Sequence, residues 1–223
     1  MTRQEVFAYI KEIGIIPAIR PTSSNEAVLA AEAICRGGIP VIEISMAMPV
    51  ARQSIEAVAT ARSQDILVGA GTVTDIEGVR QALSSGARFI VTSGFDAGVT
   101  RTAREFDLPV LAGALTPTEV QMAACCGADA VKLFPCYAVG GPRYVKSMHG
   151  QYPKAELIAS GGVTLEDCLE YLRAGACAIG VGGEIGYAES TTAGDHRVFT
   201  ERARRFRKAV CEARALLNGV RQR

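Results

Sequence analysis

Ala130-Val131-Lys132-Leu133-Phe134-Pro135 is a short apolar run of strand type with one charged residue inside it. Runs of this kind recur along the chain at intervals of roughly twenty to thirty residues, each followed by a helical-looking segment, the pattern of parallel βαβ units. The others are Ile15 to Arg20, Val41 to Met46, Leu67 to Val73, Phe89 to Gly94, Pro109 to Leu115, Leu157 to Gly161 and Ala178 to Gly183. The intervening segments are rich in Ala, Glu, Leu and Arg. Several open on capping residues, at Thr22-Ser23-Ser24, Thr74-Asp75, Asp96, Thr116-Pro117 and Thr164 ahead of Glu166-Asp167. Gly37-Gly38, Gly86, Gly127 and Gly175 fall where those helices should stop.

Eight such units predict an α/β fold, a closed (β/α)8 TIM barrel over residues 1–223 as one domain, with an extra N-terminal helix over roughly residues 3 to 13. An open doubly wound sheet fits eight nearly equal units less well. From Arg197 to Lys208 the chain carries six basic residues. Phe199, Ala203, Phe206, Val210, Ala213 and Leu217 recur there at alternating spacings of four and three, which predicts an apolar stripe with the arginines on a solvated face. Asn218-Gly219 is expected to stop that helix.

Composition narrows the function. The chain is 48% hydrophobic and 21% charged, with a formal net charge of +1, which argues against a dedicated nucleic-acid binder. Seven cysteines, an odd number with no C-x-x-C, and two histidines, His149 and His196, give neither a disulfide framework nor zinc-ligand spacing, so no metal is expected. A polar start and the lack of a long apolar stretch predict a cytoplasmic protein without a membrane anchor.

Within a barrel, strand residues alternate between the interior and the helical shell, and chemistry gathers at the C-terminal strand ends. The alternation turns Val41, Glu43 and Ser45 inward, and Lys132 and Phe134 inward, with Val131 and Leu133 outward. Burial disfavours an ammonium, so an interior lysine is easier to deprotonate, and a neutral amine attacks carbonyl carbon to form a Schiff base. Against this stands a purely structural buried ion pair, which rarely improves stability over apolar packing. Further polar groups fall at strand ends: Arg20, Thr72, Thr92-Ser93, Thr116, Ser160-Gly161-Gly162 and Gly182-Gly183. The glycines of the last two runs stand where barrels commonly grip phosphate.

The chain resembles the 2-keto-3-deoxy-6-phosphogluconate (KDPG) / 4-hydroxy-2-oxoglutarate (KHG) aldolase family through seven motifs in register. They are Ile16 to Arg20, Gly37 to Ile44, Gly69 to Val73, Thr116 to Glu119, Val131 to Pro135, Ser160 to Val163 and Gly180 to Gly183. The resemblance implies a class I aldolase without metal or other cofactor, a homotrimer of barrels, acting on a 2-keto-3-deoxy acid to yield pyruvate and an aldehyde. Carried over by position, Lys132 matches the Schiff-base lysine and Glu43 the general acid/base. Thr72 matches a pyruvate-binding threonine and Phe134 the ring beside the imine. Gly161, Gly162 and Gly183 match phosphate-side contacts, and Arg20 an arginine at the mouth. Ser93 and Ser160 complete the substrate-binding set.

Three departures bear on the substrate. Ala47 stands where many members have an arginine that grips the pyruvate carboxylate, and Ser93 where proline is usual. Gly183-Glu184 replaces glycine-serine, and an added acid there works against a phosphate dianion, which predicts an unphosphorylated or less acidic aldehyde. Two other readings differ in kind. A barrel isomerase or synthase acting on a phosphorylated metabolite would use the glycines without an imine-forming lysine, and an inert metabolite-binding barrel would keep Lys132 and Glu43 as a relic pair.

Overall fold

Each of eight parallel strands pairs with the next in chain order, and the last pairs with the first, closing a barrel. The structure, a computed structural model, describes residues 1–62, 64–186 and 196–221. The strands are β1 (Ile15–Ile19), β2 (Val41–Ser45), β3 (Leu67–Gly71), β4 (Ile90–Val91), β5 (Val110–Ala114), β6 (Ala130–Leu133), β7 (Leu157–Ser160) and β8 (Ala176–Val181). The helices are α1 (Arg3–Ile13), α2 (Ser24–Arg36), α3 (Ala51–Ala61), α4 (Ile76–Ser84), α5 (Ala97–Glu105), α6 (Pro117–Cys125), α7 (Pro142–Gln151), α8 (Cys168–Arg173), α9 (Gly183–Gly186) and α10 (Arg197–Arg221), with a 3-10 turn over Cys136–Val139. The expected (β/α)8 TIM barrel with its extra leading helix is therefore the fold.

Local chemistry sets most helix starts. The side chains of Ser23, Asp75, Asp96 and Thr116 each accept a backbone N–H in the first turn of the helix that follows, which satisfies a donor with no intrahelical partner. At the head of α8 the expected cap fails. Thr164 spends its hydroxyl and N–H on the Asp167 carboxylate, at 2.8 and 3.3 Å, and the helix begins only at Cys168.

The α10 stripe is as read: Phe199, Ala203, Phe206, Val210 and Ala213 are buried. Two corrections apply to this helix. It continues past Asn218-Gly219 to Arg221. Its cationic side is only partly solvated: Arg207 donates to Ile13 O at 2.8 Å, and Arg214 donates to Lys11 O, Glu12 O and Cys177 O at 2.6 to 2.9 Å. Carbonyls at the end of α1 are thus satisfied by guanidinium groups, which ties α10 to α1 and β8.

The fourth strand is shorter than the expected Phe89 to Gly94. Thr92 Oγ1 accepts the N–H of Gly113 at 2.8 Å, so a side chain takes the place of a ladder carbonyl and regular pairing stops at Val91. Gly113 also has no room for a side chain, because the backbone of Ser93 and Gly94 occupies the space a Cβ would need. Below this point the barrel is plugged by Phe89, fully buried, whose ring fills the position of a Gly69 Cβ. A protein interior packs to near-crystalline density and resists added atoms.

Glu119 organises the turn from β5 into α6. Its carboxylate accepts from Leu115 N, Thr116 N and Thr116 Oγ1 at 2.8, 2.7 and 2.8 Å, and these bonds, the Leu115 N–H foremost, hold its pKa below the ordinary carboxylate value.

Two outcomes are expected. Gly69→Ala forces the Phe89 ring aside and lowers stability by about 1–3 kcal/mol, read as a lower urea midpoint at unchanged m-value. Because the folded-state pKa of Glu119 is depressed, its contribution is present above the unfolded carboxylate pKa and is lost as pH falls through the folded value. Amide exchange at Leu115 and Thr116, corrected for intrinsic rates, therefore accelerates on acidification, and Glu119→Gln flattens that dependence.

Candidate active site

The geometry starts from two strands on opposite sides of the ring. β2 and β6 are four places apart in a closed circuit of eight, so inward side chains on them face each other across the bore. Glu43 on β2 and Lys132 on β6 meet there, with Lys132 Nζ 3.4 Å from Glu43 Oε1. The residues are 4% and 7% exposed, so this pair is held inside the barrel and not on its surface. It is the one ion pair of this degree of burial among the described residues.

Small neighbours make the room. Glu43 is in register with Ala18 on β1 and Gly69 on β3, and Lys132 with Gly113 on β5. A Cβ on Gly71, next along the same face of β3, would overlap the Glu43 carboxylate itself. Two long polar side chains thus occupy space that their neighbours leave empty, and that space lies toward the C-terminal ends of the strands.

Phe134, directly after β6, places its ring centroid 5.5 Å from Lys132 Nζ, within the range of a cation–π contact. The ring also borders the end of β7, where Gly161 has no room for a Cβ between Phe134 and Pro135. Gly161 and Gly162 have φ of +85° and +70°, the left-handed region where a side chain is disfavoured. The carbonyl of Gly161 accepts from Tyr137 N at 3.3 Å and from the buried Cys136 thiol at 3.6 Å. Burial pushes that thiol pKa up, which leaves Cys136 as a packing group and not a nucleophile. Ser160, buried at the end of β7, fills the space beside Gly180 on β8.

On the other side of the bore, Thr72 follows β3 with φ of +56°, which is rare for a β-branched residue. Its Oγ1 accepts from Ser45 Oγ at 3.1 Å. A cleft of about 380 Å³ opens beside Thr72, lined also by Met46, Ala47, Val73 and Gln81. The alanine at 47 is part of its wall.

The remaining residues singled out in the sequence lie farther out. Arg20 is exposed immediately after β1, and Ser93 is half-buried after β4. Gly183 is exposed at the start of α9 and lines a separate cleft of about 280 Å³ with Glu184, Glu166, Arg202 and Arg205. Glu184 is exposed too and shares this cleft with Gly183 and the two arginines. Ser45 and Gly113 carry no site role in the sequence reading, and Gly71 and Thr92 enter it only as strand ends. The Gly-Ala-Gly run and Gly113 were the available signal, since glycines on inward positions beside long polar residues mark room for those side chains.

Comparison with known proteins identifies the family. The sequence profile of the KDPG and KHG aldolase family matches residues 6–201. A 2-dehydro-3-deoxy-phosphogluconate aldolase of Haemophilus influenzae is 30% identical over 171 residues, 77% of this chain and 80% of the relative. A 2-dehydro-3-deoxy-6-phosphogalactonate aldolase of Escherichia coli is 33% identical over 175 residues, 78% of this chain and 85% of the relative. Among solved structures, a native KDPGal structure superposes with a TM-score of 0.83 at 32% identity, covering 89% of this chain and 95% of the other.

A buried ion pair is costly to break and cheap to replace as a unit. Lys132→Met alone leaves the Glu43 carboxylate without its cation and is expected to cost about 3 kcal/mol in denaturant unfolding. The double variant Glu43→Leu with Lys132→Met regains most of that stability, so the two changes are strongly non-additive.

Proposed function

The chain belongs to the KDPG and KHG aldolase family, which makes it a carbon–carbon lyase, and on that footing we propose a class I mechanism in which Lys132 carries the substrate as an imine. The single observation that supports it is the Lys132–Glu43 pair across the bore, at 3.4 Å. The separation is a few tenths of an ångström beyond the reach of about 2.6–3.2 Å for direct proton transfer, and such contacts tighten when substrate is bound. The pair stands among glycines that leave space for a substrate and contributes little that apolar packing would not.

Neutral Lys132 attacks the C2 ketone of a 2-keto-3-deoxy sugar acid, and the carbinolamine loses water with a proton supplied by Glu43. In the resulting iminium, the Glu43 carboxylate removes the C4 hydroxyl proton. The C3–C4 bond breaks, its electron pair moves into the iminium, and an aldehyde departs. The enamine takes a proton at C3, and water then releases pyruvate and the free amine. Every bond change is served by one amine, one carboxylate and water.

In this reading Phe134 flanks the imine, while Thr72 and Arg20 serve the carboxylate end in place of the side chain that Ala47 lacks. Ser93, Ser160, Gly161, Gly162 and Gly183 serve the aldehyde end. Successive positive-φ glycines at 161 and 162 suit an anionic group, since such turns present backbone N–H groups together. Glu184 shares its cleft with Arg202 and Arg205 as well as with Gly183, so both an unphosphorylated and a phosphorylated aldehyde stay within the proposal. The family resemblance also carries the homotrimer.

Incubation with pyruvate and borohydride is expected to add a reduced pyruvate adduct to Lys132, located by mass spectrometry of the digested protein. Lys132→Met abolishes both trapping and cleavage while the far-UV circular dichroism is unchanged. Cleavage that survives in that variant overturns the imine mechanism. A panel of 2-keto-3-deoxy acids with and without a terminal phosphate then identifies the aldehyde.

A further inference from the structure

Ser45 is 2% exposed and lies on the inward face of β2, two residues beyond Glu43, about 6–7 Å nearer the C-terminal mouth. Its hydroxyl makes two hydrogen bonds. It donates to Thr72 Oγ1 at 3.1 Å and accepts the N–H of Ala47 at 3.4 Å. A hydroxyl has one hydrogen to give and two lone pairs, so Ser45 can take the Ala47 N–H and still give its own hydrogen to Thr72. With Thr72 Oγ1 accepting from Ser45, its own O–H is left to donate elsewhere.

The backbone agrees with a placed group. Thr72 has φ of +56°, a conformation that costs energy for a β-branched residue and persists only where its surroundings fix it. The bond from Ser45 and the ladder bonds on either side, Met46 N to Gly71 O at 2.7 Å and Val73 N to Val91 O at 3.2 Å, hold it. Thr72 lines the cleft at Ala47, whose wall holds no basic side chain and two acidic ones, Asp75 and Glu77.

We propose that Ser45 is a positioning residue that sets the Thr72 hydroxyl as a hydrogen-bond donor to the carboxylate of an α-keto acid bound at Lys132. This rests on the imine reading above. A substrate joined to Lys132 through C2 carries its carboxylate one bond away. With alanine at 47, that charge is met on this side of the bore by a hydroxyl that is free to donate while Ser45 donates to it. Hydrogen bonds in such a chain strengthen one another, and a bond to a charged acceptor is stronger than one between neutral groups.

The test is the pyruvate concentration that half-saturates borohydride trapping at Lys132. Ser45→Ala is expected to raise it roughly five- to tenfold, with the trapping rate at saturation little changed. Ser45→Thr, which keeps the donor, restores the wild-type value, and Ser45→Cys, a weaker donor of similar size, falls between and serves if the alanine variant does not fold. In a Thr72→Ala background Ser45→Ala adds nothing further, because the two residues act as one unit. An unshifted half-saturation in Ser45→Ala and Ser45→Cys, or full additivity with Thr72→Ala, overturns the positioning role while leaving the imine standing. Absence of trapping in the wild type sinks the imine reading, and this proposal with it.

Discussion

A carboxylate and an ammonium meeting across the bore of the barrel form the constraint around which the rest is arranged. The two strands that supply them are separated by half the circuit, so the contact exists only once the ring is closed. Everything adjacent yields to it: Ala18 and Gly69 flank Glu43, Gly71 vacates the space of its carboxyl group, and Gly113 stands beside Lys132. A core built only for stability would fill those positions with branched apolar side chains, as β-barrel interiors of this size usually do. Burying charge and omitting side chains both work against the folded state. Their coincidence at the strand ends marks where the molecule gives up packing to hold this pair.

Support for the site comes from polar groups that act on the backbone. Thr92 interrupts the β4–β5 ladder by accepting from Gly113, Glu119 gathers three donors at the β5–α6 turn, and Cys136 donates to the carbonyl of Gly161. Each fixes a strand end where a loop would otherwise be free to shift. At the opposite side of the barrel, Arg207 and Arg214 bind the last carbonyls of α1, so the two chain ends are fastened together beneath the catalytic face.

The fold was legible because its signal is repetitive: eight apolar runs separated by capped helices leave few architectures open. Lys132 and Glu43 were legible because a charge inside an apolar run is conspicuous, and strand alternation assigns it a side. What the sequence concealed depends on contacts between distant segments. The early end of β4 follows from a threonine hydroxyl replacing a carbonyl one strand away. Glu184 follows a glycine, and nothing local decides whether the turn aims it at the barrel mouth or at α10. Ser45 reads as one more inward position, and its meaning appears only with the register that places Gly71 opposite it and with the left-handed turn at Thr72. Asn218-Gly219 failed as a stop because the preference for glycine past a helix end is a tendency that a long helix can override.

The placement of the two reactive groups also divides the polypeptide in an instructive way. Glu43 lies in the first four strands and Lys132 in the last four, so neither half of the chain contains the pair. A half-ring made alone would hold a charge that has lost its counterpart and two unpaired sheet edges. Formation of the pair is therefore a late event in ring closure, and two separately expressed halves would each lack it and recover it only as a reconstituted whole.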